Sequence, residues 1–276
     1  MNRDSSTIPA LEARSLTLAY RKTPILKDLD VSILNGRITT LIGKNGCGKS
    51  TLLSGLSRLL SPKSGSVYLN GRSIQELSTR TVAQQMGVLP QSPPHPEGIS
   101  VRSLVALGRY PRQHWLRSWS VEDEKMVERA LSMTNMSPFG DRPLDSLSGG
   151  QKQRAWIAMA LAQDTPILLL DEPTTYLDVA HQIEILDLLY HLNKTGDRTI
   201  VMVLHDLNLA CRYSDVIVAI KQGKIVAKGN PNDIITASLI TEIFDVGCTL
   251  LDDPVTHRPI CIPQSQVFDV ADKRQS

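Results

Sequence analysis

The chain is 276 residues long, with 41% hydrophobic and 21% charged residues and a formal net charge of +2. That length buries a full core without metal or disulfide staples, and so even a charge balance gives no case for nucleic acid or an acidic membrane surface as partner. The four cysteines, Cys47, Cys211, Cys248 and Cys261, make no CxxC pair, which argues against a zinc knuckle or a disulfide framework and suits a reducing cytosol.

No run approaches the roughly 18 uncharged apolar residues of a membrane-spanning helix, and the opening MNRDSSTIPALEARS lacks the apolar stretch of a signal peptide. The expectation is a chain that neither crosses a membrane nor is secreted. Alternating apolar runs and helix-period stretches fill residues 12–235, the pattern of an α/β protein with a largely parallel sheet. Three short apolar runs end abruptly: Ile38 to Ile42 before Gly43, Ile167 to Leu170 before Asp171, and Ile200 to Leu204 before His205. Each reads as a buried strand. Ligands of open α/β sheets gather beyond the carboxyl ends of the strands, so Gly43, Asp171 and His205 are expected on one edge.

Residues 92–165 read differently, opening on the proline-rich Ser92 to Pro96 and continuing into helical patterns such as Val121 to Met133. Ser120 and Asp123 form a capping-box pattern there, with Glu122 and Glu124 suiting the helix dipole. This predicts a helical subdomain inserted into an α/β core of residues 12–91 and 166–235. In a C-terminal extension, residues 236–264, Cys248 to Leu251 and Pro259 to Ile262 read as short strands. Residues 12–264 are thus expected as one domain between loose termini, 1–11 and 265–276.

Gly43-Lys44-Asn45-Gly46-Cys47-Gly48-Lys49-Ser50-Thr51 fits G-x-x-x-x-G-K-[ST] between a predicted strand and the predicted helix Ser50 to Leu60. From average residue usage, such a match arises by chance on the order of once in a hundred chains of this length. Glycines let backbone amides turn around phosphate oxygens, the helix start adds positive dipole, Lys49 neutralises β and γ phosphates, and Ser50 ligates magnesium. Cys47 is either a thiol activated by the helix start or a small filler. Asp171 and Glu172 end a buried strand; Asp171 suits a magnesium ligand and Glu172 a general base, although an acidic pair after a strand also serves as a helix cap.

Leu147-Ser148-Gly149-Gly150-Gln151 is the signature sequence of the ABC ATPases, opening a predicted helix from Gln151 to Gln163. The chain therefore resembles that family. The resemblance places Tyr20 where an aromatic stacks on adenine, Gln91 at the Q-loop glutamine with a magnesium contact, Asp178 in the D-loop and His205 as the switch histidine. Singly, Tyr20, Gln91 and His205 fit ordinary packing or surface positions as well. It further implies a phosphate-loop NTPase core with an inserted helical subdomain and short antiparallel accessory strands, and it implies ATP and Mg2+ as ligands. In the family, Ser148 and the amides of Gly149 and Gly150 face the nucleotide held by the partner subunit, so two chains sandwich two ATP molecules. Catalytic roles then fall to Glu172, His205, Gln91 and Lys49.

Asn193-Lys194 hints at a guanine-reading N-K-x-D, but position 196 is glycine. A soluble ABC ATPase of chromosome or ribosome maintenance would carry long coiled coils or tandem halves, and this chain shows one motif set and no sustained heptads. Arg109, Arg112 and Arg117 with Tyr110, Trp115 and Trp119 fit either a nucleic-acid stripe or a docking surface. The stretches around Gly98 to Pro111, Asp171 to Asp178, His205 to Tyr213 and Asp252 to Pro259 resemble the ferric siderophore importer ATPases, the last of them the ferric enterobactin type. Vitamin B12 and haem importers share the architecture. The resemblance implies a peripheral protein on the cytoplasmic face of the bacterial inner membrane. Its partners would be a second copy of itself and two polytopic permease subunits contacted through Ser92 to Trp119. A siderophore-binding protein in the periplasm or on the cell surface would act through the permease, with no nucleic acid involved.

Overall fold

The computed structural model describes residues 8–91, 96–113 and 119–265. In chain order the elements are β1 (Leu11–Tyr20), β2 (Thr23–Ile33), β3 (Ile38–Ile42), α1 (Lys49–Leu56), β4 (Ser64–Leu69), β5 (Arg72–Ser73), α2 (Thr79–Gln85) and β6 (Met86–Leu89). A helical stretch follows with α3 (Val101–Leu107), α4 (Val121–Met133) and α5 (Gly149–Ala162). The chain then returns through β7 (Ile167–Asp171), α6 (Val179–Gly196), β8 (Thr199–Val203), α7 (Leu207–Tyr213), β9 (Val216–Lys221) and β10 (Lys224–Gly229). It closes with α8 (Pro231–Ile234), α9 (Ala237–Phe244), β11 (Cys248–Asp252) and β12 (Pro259–Pro263).

Six strands form the central sheet in the order β10-β9-β3-β8-β7-β6. Every pairing in it is parallel except β9 with β10. The three apolar runs become the neighbours β3, β8 and β7, buried along their whole length. Their sequences are continuous rather than alternating because successive side chains feed different layers. Leu168, Leu170, Ile200 and Met202 join the core shared with the helical stretch, whereas Ile167, Leu169, Val201 and Val203 join the core shared with α1 and the β1 sheet.

That second layer is a four-stranded antiparallel sheet, β2-β1-β4-β5. Its strands β1 and β2, 10 and 11 residues long, are the longest among the described residues. Ala10 and Leu11, expected in a loose terminus, are fully buried, since the end of β1 packs into the core and Leu11 pairs with both Ile33 and Leu69. Helix α1 stops at Leu56 rather than Leu60, because Arg58 takes a positive φ of 63° and Leu59 turns out to solvent.

Helix α4 carries the expected capping box between Ser120 and Asp123. Arg109 is buried, with Nε 2.9 Å from Asp123 Oδ1 and Nη1 2.8 Å from the Ala162 carbonyl. Arg112 likewise binds the carbonyls of Gln163 and Asp164. Both arginines tie the helical stretch together instead of lining a nucleic-acid stripe; Trp115 and Arg117 lie outside the described residues. The C-terminal β11 and β12 pair as a hairpin against α7.

Candidate active site

The phosphate-loop motif forms a tight turn between β3 and α1. A Cβ on Gly43, whose φ is 150°, would stand 2.2 Å from the Ile220 carbonyl oxygen, and one on Gly48, whose φ is 109°, would stand 2.6 Å from Leu26 Cδ2. Only glycine fits either place. Gly48 precedes α1 in left-handed conformation and no side chain caps the helix, which leaves its first amides aimed into the loop. Lys49 is buried, its Nζ donating to the carbonyls of Gly43 at 2.8 Å and Lys44 at 3.0 Å. Lys44, Asn45 and Gly46 form the exposed crest of the loop, and Thr51 is buried behind it. The Lys44 side chain also reaches Asp245 at the end of α9.

Cys47 is buried, and burial pushes its thiol up despite the nearby Lys49 charge. Its Sγ lies 2.6 Å from the position of a Cβ on Gly43. The thiol therefore fills space inside the turn and is not activated by the helix start.

On the carboxyl edge of the sheet, Ser50 Oγ donates to Asp171 Oδ1 at 3.0 Å. Burial raises the Asp171 pKa, with the Ser50 hydrogen bond acting against it. The next residue, Glu172, is buried and takes a φ of 53°, which ends the extended run of β7. Gln91 Nε2 donates to its Oε2 at 2.8 Å, and His205 Nε2 stands 2.6 Å from its Oε1. Residues from the ends of β3, β6, β7 and β8 thus meet at one place, as neighbouring strand ends in a parallel sheet must. The donors at Ser50 and Asp171 are hard oxygens, the chemistry that Mg2+ takes alongside phosphate oxygens and water. Among the described residues no group of three or more His, Cys, Asp or Glu side chains could hold a metal unaided.

Tyr20 lies outside this cluster but near it. It is half exposed at the tip of the β1–β2 hairpin, whose Ile25 and Leu26 pack against Gly48. The signature stands apart. Ser148 is the exposed N-cap of α5 and forms a capping box with Gln151, while Gly149 and Gly150 approach Tyr176 and Leu177. Asp178, also exposed, caps α6 through the His181 amide, and that hydrogen bond is the main cause of its lowered pKa.

Two side chains at this site escape sequence reasoning. Thr175 Oγ1 donates to Glu172 Oε2 at 3.1 Å, and buried Gln153 reaches the carbonyls of Glu172 and Pro173 at 3.4 and 3.2 Å. The only signal for Thr175 is its spacing, a hydroxyl residue three positions after a turn carboxylate; Gln153 offers none beyond its place on the signature helix.

Residues 26–175 match the ABC transporter family. A petrobactin import ATP-binding protein of Bacillus anthracis is 54% identical to this chain, over 93% of it and 94% of the relative. The ferric enterobactin transport ATP-binding protein of Escherichia coli (strain K12) is 48% identical over 94% of this chain and 96% of the relative. The dimeric structure of a bacterial ABC transporter cassette matches with a TM-score of 0.73 at 28% identity, covering 80% of this chain and 98% of that one.

Proposed function

The chain belongs to the ABC transporter ATP-binding family, and from that premise we propose that it is the ATP-hydrolysing subunit of a ferric siderophore importer. The observation that carries the chemistry is the convergence of Lys49, Ser50, Asp171, Glu172, Gln91 and His205 from four strand ends onto one edge. ATP would lie with its phosphates across the open amides of α1 and against Lys49, and its adenine beside Tyr20. Ser50, Asp171 and Gln91 would hold Mg2+, which when bound offsets charge on the β and γ phosphates. Glu172 takes a proton from water, and His205 orients the γ-phosphate for in-line attack.

The exposed signature cannot serve the phosphate loop of its own chain through the contacts described above, which supports a second copy supplying it. The match to a dimeric cassette fits this arrangement. No described helix is long and apolar enough to cross a membrane. The pore is therefore assigned to two permease subunits docked beside Gln91, with this chain peripheral on the cytoplasmic face of the inner membrane and a siderophore-binding protein delivering cargo from outside. Identity to siderophore importers with different cargoes supports the cargo class, and the proposal of an enterobactin-type catecholate within that class rests on the sequence resemblance of Asp252 to Pro259 alone.

The test is uptake of radiolabelled iron after deletion of the gene, with iron offered as ferric enterobactin, as a hydroxamate chelate and as haem, and labelled vitamin B12 run alongside. Selective loss of a siderophore signal, restored by the wild-type gene but not by Glu172→Gln, is the expected result. Loss confined to B12 or haem would overturn the cargo and leave the ATPase chemistry standing.

A further inference from the structure

Three side chains meet the Glu172 carboxylate, Gln91 and Thr175 donating to Oε2 and His205 Nε2 standing beside Oε1, and they differ in how firmly each is tied to it. Gln91 is exposed at the end of β6, and the His205 side chain is 47% exposed beyond β8. Both reach Glu172 from other strands, and both are polar groups that a nucleotide and its metal would draw toward themselves. Thr175 belongs to the same turn as Glu172. Its amide donates to the Glu172 carbonyl at 3.2 Å while its hydroxyl donates to Oε2 at 3.1 Å.

That turn is itself held from behind. Glu172 has a φ of 53°, a conformation that costs a residue with a side chain free energy and persists only where its surroundings enforce it. Gln153 supplies part of that enforcement by binding the carbonyls of Glu172 and Pro173. Thr175 therefore moves with Glu172 whatever Gln91 and His205 do.

We infer that Thr175 is a positioning residue for ATP hydrolysis: it keeps Oε2 of Glu172 fixed when Gln91 and His205 turn to the nucleotide, leaving Oε1 to face the attacking water. The inference rests on the proposed role of Glu172 as base. In the step it serves, water loses a proton to Oε1, its oxygen bonds to the γ-phosphorus, and the bond from that phosphorus to the bridging oxygen breaks to give ADP and phosphate. Thr175 exchanges no proton. It fixes the direction of the base, and misplacement of a catalytic group by about 1 Å costs on the order of a hundredfold in rate.

The experiment compares Thr175→Val, which keeps shape and loses the donor, with Thr175→Ser, which keeps the donor. Both are measured in the full-length protein by steady-state turnover and ATP affinity, with Glu172→Gln as control. Thr175→Val should lower kcat by about 10- to 100-fold, with KM and ATP affinity within about twofold, and Thr175→Ser should restore most of the rate. In the Glu172→Gln background, Thr175→Val should cost nothing further, because the group it positions is already disabled. A Thr175→Val enzyme keeping more than about half of kcat, a serine variant no better than valine, or a loss that appears in ATP affinity instead of kcat would each overturn the inference. If Glu172→Gln alone leaves turnover intact, the base assignment fails, and the positioning role falls with it by a result separate from those of the Thr175 variants.

Discussion

Helices α1 and α5 both begin on glycine-rich turns, and the two starts are built in opposite ways. The start of α1 is buried, preceded by left-handed Gly48, and has no side-chain cap. The start of α5 is exposed and closed by its own residues: the Gln151 amide donates to Ser148 Oγ at 3.3 Å, and the Ser148 amide donates to Gln151 Oε1 at 3.1 Å. A helix start carries about half a positive charge and several unpaired amides. Inside the loop that demand is left open beside buried Lys49, which on the proposed function suits a phosphate. At the surface it is met by the chain itself, so α5 is capped by its own residues, and on the proposed function a nucleotide would reach it only when a partner brings one. On that reading the same chemistry would be constitutive at one helix and conditional at the other.

Removing the charge at the constitutive site should have the largest effect. Lys49→Ala takes away the one buried cation in the loop, and loss of a preorganised charge contact at a phosphate costs on the order of 10²- to 10³-fold in turnover. ATP binding measured by nucleotide titration should weaken in parallel. A variant with at least about half of wild-type turnover at saturating ATP would show that the loop is not the primary phosphate site.

The conditional site should respond more selectively. Ser148→Arg puts bulk and charge where, on the proposed function, the partner's nucleotide would approach, so the homodimer should lose turnover while each chain still binds ATP on its intact loop. Mixing it with Lys49→Ala chains sharpens the contrast, since each mixed dimer has one site with both lesions and one with neither. Recovery of activity on mixing two nearly dead variants is the expected outcome. An active Ser148→Arg homodimer would mean that the signature serves no site at all.

How much of this was legible follows from how locally each feature is encoded. The strands β3, β7 and β8 could be read because burial on both faces forces continuous apolar runs, and the α4 cap could be read because Ser120 and Asp123 are only three residues apart. Strand β1 could not be delimited. It carries Arg14 and Ser15 in mid-strand, and its pairing with β2 shifts register between Ala13 and Leu16, so the period-2 signal breaks. The end of α1 was hidden as well, since Leu59 and Leu60 continue an apolar pattern past the positive φ at Arg58. At the site, the residue types of Lys49, Asp171 and Glu172 announce themselves, whereas the link from Thr175 to Glu172 exists only once the turn has closed. Taken alone, Ser148 to Gln151 reads as nothing more than an S-x-x-Q capping box.

That last ambiguity is also the smallest effect to measure. Ser148→Ala removes the Oγ that accepts from Gln151, and losing an N-cap of this kind costs about 0.5–2 kcal/mol. In a chain of 276 residues this corresponds to a shift of only a few degrees in Tm. Without nucleotide, the variant should melt slightly below wild type, because α5 has lost its own cap and gained no other. Under conditions that trap ATP in a dimer, set by adding Glu172→Gln to both proteins, the partner's phosphate would occupy the same helix start. The Ser148→Ala deficit then depends on whether the hydroxyl or the backbone amides make the contact that counts. If the amides of Gly149 and Gly150 dominate, the trapped dimers should differ less in Tm than the nucleotide-free proteins do. A larger gap in the trapped state would assign the contact to the Ser148 hydroxyl. Equal gaps in both states would show that the cap is structural throughout, and the distinction between an open and a conditional helix start would not hold.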